Sequence, residues 1–363
     1  MPVNLLRRRQ LPLFIHTRAS TLIVVLALLM ALAAACGNET EAQANTDLLI
    51  NLPADEGAHA SGIEWWYFNG HLTDDAARDY SFHFVTFQIG SNYSEGDASQ
   101  GGQLAQLSWA DHANQVYLTG EKVSLRTPDP VPGSFEFDLG GWQMAGDGTE
   151  YALAFDTGTY SVSISALSMK PAAFHQKTGL VNLGPAGDTF YYTRPRLELV
   201  GTLNINGIDR PVTGTGWMDH QWGDFVSRQV SWDWMSLQLD DGSELMAVLV
   251  WNPERRQPFT SYGTFIANDG TVRNLVDGDV NLTPTGAWTS PSTGVVYPMG
   301  WELNVEPLSL ELTLSPPQRY AEFPSSRYGP PGYWEGAVAI SGSADGSPVT
   351  GKGFVELVGY RSE

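Results

Sequence analysis

Pro211-Val-Thr-Gly-Thr-Gly-Trp-Met-Asp219 and Pro348-Val-Thr-Gly-Lys-Gly-Phe-Val-Glu356 are two versions of one stretch, with five identities and three conservative changes in nine positions. The residues ahead of them also correspond, Gly201-Thr-Leu-Asn-Ile-Asn206 with Val338-Ala-Ile-Ser-Gly-Ser343. Far upstream, Trp65-Trp-Tyr-Phe-Asn-Gly-His-Leu-Thr-Asp-Asp75 loosely matches Trp232-Asp-Trp-Met-Ser-Leu-Gln-Leu-Asp-Asp-Gly242. A start and an end that match in the same order mark one unit used twice. The units are placed at residues 60–228 and 229–363, the second about 30 residues the shorter.

Between these landmarks there is almost no helical periodicity. Stretches of about ten residues alternate and are divided by Asn69-Gly70, Asp147-Gly148, Asn206-Gly207, Asp241-Gly242, Asp269-Gly270 and Asp345-Gly346. Such pairs suit the positive φ of hairpin turns and predict antiparallel strands. Ser81–Ile89 (SFHFVTFQI) is apolar on both faces in places. It therefore lies between two apolar environments, such as a core and a lined cavity. Each unit reads as an all-β closed barrel, a shape that leaves no free strand edge.

Composition narrows the function. The 363 residues carry 20 Lys plus Arg against 40 Asp plus Glu, a formal charge of −20, with no basic cluster beyond the first 20 positions. A nucleic-acid partner is excluded, because displacing phosphate counterions takes Lys and Arg. The single cysteine rules out a disulfide framework and any multi-cysteine zinc or iron–sulfur centre. No Walker-type or dinucleotide glycine motif follows a strand, so no cofactor is implied.

The N-terminus reads as an address. Arg7, Arg8, Arg9 and Arg18 precede an apolar run from Leu22 to Ala35, the n-region and h-region of an export signal over residues 1–35. The run is too short for a membrane span of about 20 residues. It ends Leu32-Ala-Ala-Ala-Cys36, which resembles a bacterial lipobox and makes Cys36 a lipidation site. The expectation is a cell-envelope lipoprotein, anchored to the membrane and facing outside the cytoplasm. Residues 36–59, polar and aperiodic, then read as a linker.

Glu64-Trp65-Trp66-Tyr67, Gly216-Trp-Met-Asp-His-Gln-Trp-Gly-Asp224 and Tyr333-Trp-Glu-Gly336 together resemble the AttH-like and hydroxyneurosporene synthase (carotenoid 1,2-hydratase) family. The resemblance spans about residues 60–360 and implies two tandem lipocalin-like barrels. It also implies that Asp219 is the proton donor of an alkene hydration. Gln221 stands where those hydratases usually carry Asn, and Phe190-Tyr191-Tyr192 where they carry a His-x-Trp pair. AttH-like proteins are often encoded beside permeases, so a membrane transport complex is an implied partner.

Hydrating an unactivated alkene needs a carboxyl that keeps its proton near neutral pH, hence a desolvated pocket. The resulting cation is stabilised by aromatic faces. Asp219 with Trp66, Tyr192, Trp217, His220 and Trp222 as pocket residues meets those needs. The other reading of Asp219 is structural, a carboxylate accepting backbone amides at a strand end, as Glu356 would in the second unit. No catalytic triad motif is present, so an enzyme here would be a hydratase or isomerase rather than a triad hydrolase. His71 and His83, with Glu64 or His220, supply metal-binding residue types but no H-x-H or H-E-x-x-H spacing, and no metal site is expected. The leading expectation is a binding protein that holds a hydrophobic small molecule, a lipid or isoprenoid, in an aromatic-lined barrel cavity. The alternatives are acid catalysis at Asp219 and an accessory role in transport.

Overall fold

The repeated segments Pro211–Asp219 and Pro348–Glu356 each lie in the last strand of an antiparallel sheet. A computed structural model describes residues 48–90, 101–127, 129–255, 258–324 and 332–362, so Cys36 and the expected export signal lie outside the described residues. The first sheet holds β1 (Ile63–Asp74), β2 (Asp79–Ile89), β3 (Gly102–Asp111), β4 (Val116–Ser124), β5 (Phe135–Leu139), β6 (Trp142–Gly146), β7 (Glu150–Asp156) and β8 (Tyr160–Ser168). The short β9 (Ala173–Phe174) and β10 (Leu180–Asn182) follow, and β11 (Asp188–Ile205) and β12 (Ile208–Gly223) complete it. The second holds β13 (Ser231–Leu239), β14 (Glu244–Trp251), β15 (Pro258–Ile266), β16 (Val272–Leu275) and β17 (Val280–Pro284). After the separate pair β18 (Ala287–Thr289) and β19 (Val296–Pro298) come β20 (Trp301–Val305), β21 (Leu310–Ser315), β22 (Glu322–Phe323), β23 (Tyr333–Ala344) and β24 (Ser347–Val358).

In both sheets the last strand returns to pair with the first, and the break in the ladder falls after the fourth strand. Each is thus a nearly closed antiparallel barrel. Register matches as well as order: Tyr67 pairs with Asp219, and the equivalent Trp234 with Glu356. The Thr-Gly-x-Gly spacing has one cause in both copies. A Cβ on Gly214 would sit 1.8 Å from the His71 carbonyl oxygen, and one on Gly351 2.3 Å from that of Gln238, the residue equivalent to His71. Only glycine admits so close a backbone approach.

Of the six turn pairs expected, Asn69-Gly70 is not a turn. It lies inside β1, where a Cβ on Gly70 would meet Phe82 and Leu199 side chains at under 3 Å. The glycine there makes room for core rings. Asn206-Gly207 and Asp345-Gly346 do close hairpins, all four residues at positive φ.

Inward residues of the first barrel, among them Trp66, Phe68, Phe82, Phe84, Trp109 and Tyr151, form one packed aromatic core. A second core fills the other barrel. A third lies between the barrels, formed by outward residues of both: Tyr67, Val85, Tyr191 and Trp217 from one, Trp234, Met246, Tyr262 and Phe354 from the other. This explains why β2 is apolar on both faces. One side meets its own barrel's core, and the other meets the second barrel rather than a cavity.

The two barrels present equivalent faces to each other. Tyr67 meets its own counterpart Trp234 edge-on, ring centroids 5.4 Å apart, and Asn69 Nδ2 donates to the hydroxyl of its counterpart Ser236 at 2.9 Å. Residues that touch their own copies lie on a two-fold axis, here relating two halves of one chain. Glu244 of the second barrel pins the contact by accepting from Lys170 and Arg196 of the first. Arg196 faces outward because a bulge at Arg194–Leu197, around Pro195, adds a residue to β11.

The stretch expected as a linker up to residue 59 is packed from residue 48 onward. Ile50 joins the first core, and a short 3₁₀ turn at Ala54–Glu56 carries Glu56, fully buried, to Arg194. Its backbone also satisfies the core, since Trp66 Nε1 donates to the Glu56 carbonyl.

Candidate functional site

Alternation along β12 sorts the expected site residues into two places. Met218, His220 and Trp222 face the interior of the first barrel, whereas Trp217, Asp219 and Gln221 face outward. On β11, Tyr192 goes in and Tyr191 goes out. Asp219 therefore does not share one pocket with all of the residues expected around it. It lies between the barrels with Trp217, apart from Trp66, Tyr192, His220 and Trp222.

The inter-barrel site is a cluster of carboxyls among aromatic rings. Asp219 accepts from Trp217 Nε1 at 2.7 Å and from the Tyr191 hydroxyl at 2.6 Å, and that hydroxyl accepts from Trp234 Nε1 at 3.0 Å. Glu356, the repeat counterpart of Asp219, accepts from Trp232 Nε1 at 2.8 Å. Beside it on β23, Glu335 accepts from the Tyr67 hydroxyl and lies 3.1 Å from His83 Nδ1. The arginines nearest in sequence are engaged elsewhere, Arg194 with Glu56, Arg196 with Glu244 and Arg210 with Asp75.

Burial without a cation sets the proton affinity of all three carboxyls. It pushes Asp219 up to about 6, against the hydrogen bonds from Tyr191 and Trp217. Burial likewise raises Glu356 to about 7, with a further contribution from Asp219. Glu335 is held well above the ordinary carboxyl range by burial and then by Glu356. His83 offers no compensating charge, since burial lowers it to about 3. A cavity of about 10 Å³, room for one water, is lined by Glu335, Ala337, Phe354 and Tyr117 at one side of the cluster.

The second place is at the end of the first barrel covered by residues 48–60. Glu64 Oε1 lies 2.7 Å from both His220 Nε2 and His59 Nδ1. His220 Nδ1 lies 3.1 Å from the Tyr192 hydroxyl, which donates to Glu56 Oε2 at 2.7 Å. Trp66 and Trp222 flank the His220 ring, with centroids 4.6 and 4.7 Å away, and His59 stacks flat on Trp222 at 4.0 Å. Burial works to raise Glu64, but the bonds from His220 and His59 outweigh it and leave the carboxyl below its ordinary value. Burial lowers His220 despite the carboxylate beside it. The grouping of His71 or His83 with these residues that residue type alone allowed does not occur, because both histidines face outward between the barrels.

Sequence matching over residues 43–360 places these sites in a family. The chain belongs to the AttH-like family. Among solved structures, an AttH protein from Nitrosomonas europaea is 27% identical, covering 86% of this chain and 97% of its own at a TM-score of 0.76. Kievitone hydratase from Nectria haematococca is 18% identical, with 87% and 94% covered and a TM-score of 0.71. CghA, crystallised with Sch210972, is 15% identical, with 83% and 88% covered and a TM-score of 0.57. The last two likenesses are of fold. None of the curated proteins matches this AttH-like chain.

Two carboxyls of the inter-barrel cluster went unread as site residues in the sequence. Glu335 stands in the Tyr333-Trp-Glu-Gly336 box, and Glu356 ends the second repeat. The available signal was parity, since both share a face with Tyr333 and Phe354 on adjacent strands.

Proposed function

We propose that this AttH-like protein is an acid catalyst that hydrates or isomerises an apolar alkene of isoprenoid type, admitted when its two barrels part, because the packed interface has room for one water only, with Asp219 as proton donor. The observation that carries the reading is the trio Asp219, Glu335 and Glu356, buried among aromatic rings with no lysine or arginine among the described residues acting on any of them. A carboxyl in such a place keeps a proton near neutral pH and can give it up. The proton passes to one alkene carbon, leaving a cation at the other. The faces of Trp217, Trp234 and Tyr67 stabilise that cation. Water then adds, and its proton returns to the carboxylate. In isomerisation the cation instead loses a neighbouring proton. The fold of kievitone hydratase, a protein named for hydration, is compatible with this reading. The test is turnover of acyclic isoprenoids in heavy-oxygen water by wild type, Asp219→Asn and Glu335→Gln. Label in a tertiary alcohol, abolished by Asp219→Asn with the fold intact, supports hydration. Equal turnover by wild type and Asp219→Asn would refute the assignment.

A second reading, binding of a hydrophobic small molecule, is favoured by a different feature. A cleft of about 460 Å³ at one end of the second barrel is lined by Leu249, Trp251, Leu282, Trp301 and Tyr360 together with the charged Asp233, Glu254, Arg255 and Arg361. That volume is within the range of small-molecule pockets. The first barrel, filled by its own aromatic rings, favours no such ligand in its interior. Titration with a fluorescent fatty acid, read by quenching in wild type and Trp251→Ala, tests the cleft.

Location and partners are part of the same proposal. Export, diacylation of Cys36 and attachment to the cell envelope are supported by the n-region, the h-region and the small residues before Cys36. A permease partner is supported by the family resemblance.

A further inference from the structure

We infer that His59, Glu64 and His220 form a divalent transition-metal site of the zinc class, with three protein ligands and an open fourth position. It is independent of the inter-barrel cluster. Nδ1 of His59, Nε2 of His220 and a carboxylate oxygen of Glu64 all lie within 4.8 Å of one another. Two imidazoles and a carboxylate are a donor set that suits zinc, and three protein ligands leave room for a water or substrate.

The arrangement around the donors is what separates this group from a chance hydrogen-bonded trio. A metal-binding histidine needs a partner for its other ring nitrogen, which fixes the tautomer and aims the ring. His220 Nδ1 already faces the Tyr192 hydroxyl at 3.1 Å, and Tyr192 in turn donates to Glu56. His59 Nε2 faces Asp55 at 3.6 Å. The rings are held by packing as well, His59 flat against Trp222 and His220 against Trp66. Three of these groups, His220, Glu64 and Glu56, are fully buried, so their geometry is fixed by the barrel end. His59 is 23% exposed and gives an ion a way in.

Metal entry requires little rearrangement. The two nitrogens stand 2.7 Å from the shared Glu64 oxygen, a hydrogen-bond distance. Ligands at zinc bond lengths of about 2.0–2.1 Å lie roughly 3.3 Å apart on a tetrahedron. Each nitrogen therefore draws back from the Glu64 oxygen by about half an ångström, and the two nitrogens, within 4.8 Å of each other, settle to the same edge length. The ring protons on His59 Nδ1 and His220 Nε2 move to the opposite nitrogens, where the Tyr192 oxygen accepts a hydrogen bond from His220 and the Asp55 carboxylate lies 3.6 Å from His59 Nε2.

The probe is zinc, titrated calorimetrically into the chelator-treated full-length chain, with cobalt as the spectroscopic substitute. One ion per chain is expected, together with the visible band of a tetrahedral cobalt site. His59→Ala, a change at a partly exposed position, should abolish the stoichiometric event with the circular dichroism unchanged. Tyr192→Phe keeps the ring but removes the hydroxyl, and should weaken binding about 10- to 100-fold. Absence of stoichiometric zinc binding at micromolar free ion would overturn the inference. Equal affinity in wild type and His59→Ala would overturn it too. Neither result touches the acid cluster, whose own assay is alkene turnover.

Discussion

Asp219→Asn changes one buried atom type, and its effect on stability should reverse sign with pH. Burial raises the Asp219 carboxyl from 3.8 to about 6. A carboxyl whose folded value is raised contributes stability below its unfolded value and loses it as pH climbs through the folded one. At about 1.4 kcal/mol per tenfold, the full loss is about 3 kcal/mol above neutral pH. Asparagine does not titrate and avoids that loss. It does cost a hydrogen bond of about 1 kcal/mol, because the Tyr191 hydroxyl, which accepts from Trp234, can no longer donate to a carboxylate. The variant should therefore be slightly less stable than wild type at pH 4 and about 2 kcal/mol more stable at pH 8, with the curves crossing between pH 4 and 5. Denaturant titrations of both proteins across that range read the difference directly. His71, His83 and His175, each lowered to about 3 by burial, titrate alike in both proteins and cancel. A difference that stays flat with pH, or a wild type that gains as pH rises, would mean an ionised Asp219 with a cationic partner. The acid role would fall with it.

Three further outcomes follow from the packing and the sequence. Gly214→Ala and Gly351→Ala each drive a methyl into a backbone carbonyl that cannot move, and thermal melts should show a loss of about 3 kcal/mol or failure to fold. If both variants melt like wild type, the close strand approach is not what the repeat encodes. Arg194→Met strands Glu56, which is fully buried, and should cost about 3–5 kcal/mol by denaturant titration, whereas the double change with Glu56→Gln should recover much of it. Cys36→Ser should abolish diacylation and release the protein from the membrane fraction, and an unmodified Cys36 in wild-type mass spectra would exclude the anchor.

The two-fold relation between the barrels explains why the acid cluster is where it is. Asp219 and Glu356 occupy the same position in equivalent strands and lie close enough for Asp219 to raise the proton affinity of Glu356. A duplicated barrel that packs through equivalent faces brings each acidic strand end towards its copy. Like charges in one dry space cannot both ionise cheaply, so the fold itself raises their proton affinity.

Much of the fold was legible without coordinates. The paired Thr-Gly-x-Gly segments showed two units, because a glycine forced by backbone contact recurs wherever the contact recurs. Alternation with Asn-Gly and Asp-Gly pairs showed antiparallel strands, because side-chain period and turn chirality are local properties. Legibility ended where local rules are ambiguous. Asn69-Gly70 has the composition of a turn, yet Phe82 and Leu199 need the space over its glycine. Trp217 and Asp219 face away from His220 and Trp222, and strand period alone says that they part without saying which pair faces the core. Only tertiary packing decided that the outer face of β2 would meet a second barrel and not a cavity. It also brought Asp219 within reach of Glu356 and His59 beside His220, since such pairings arise from how distant strands close and dock. Sequence order carries no record of that distance.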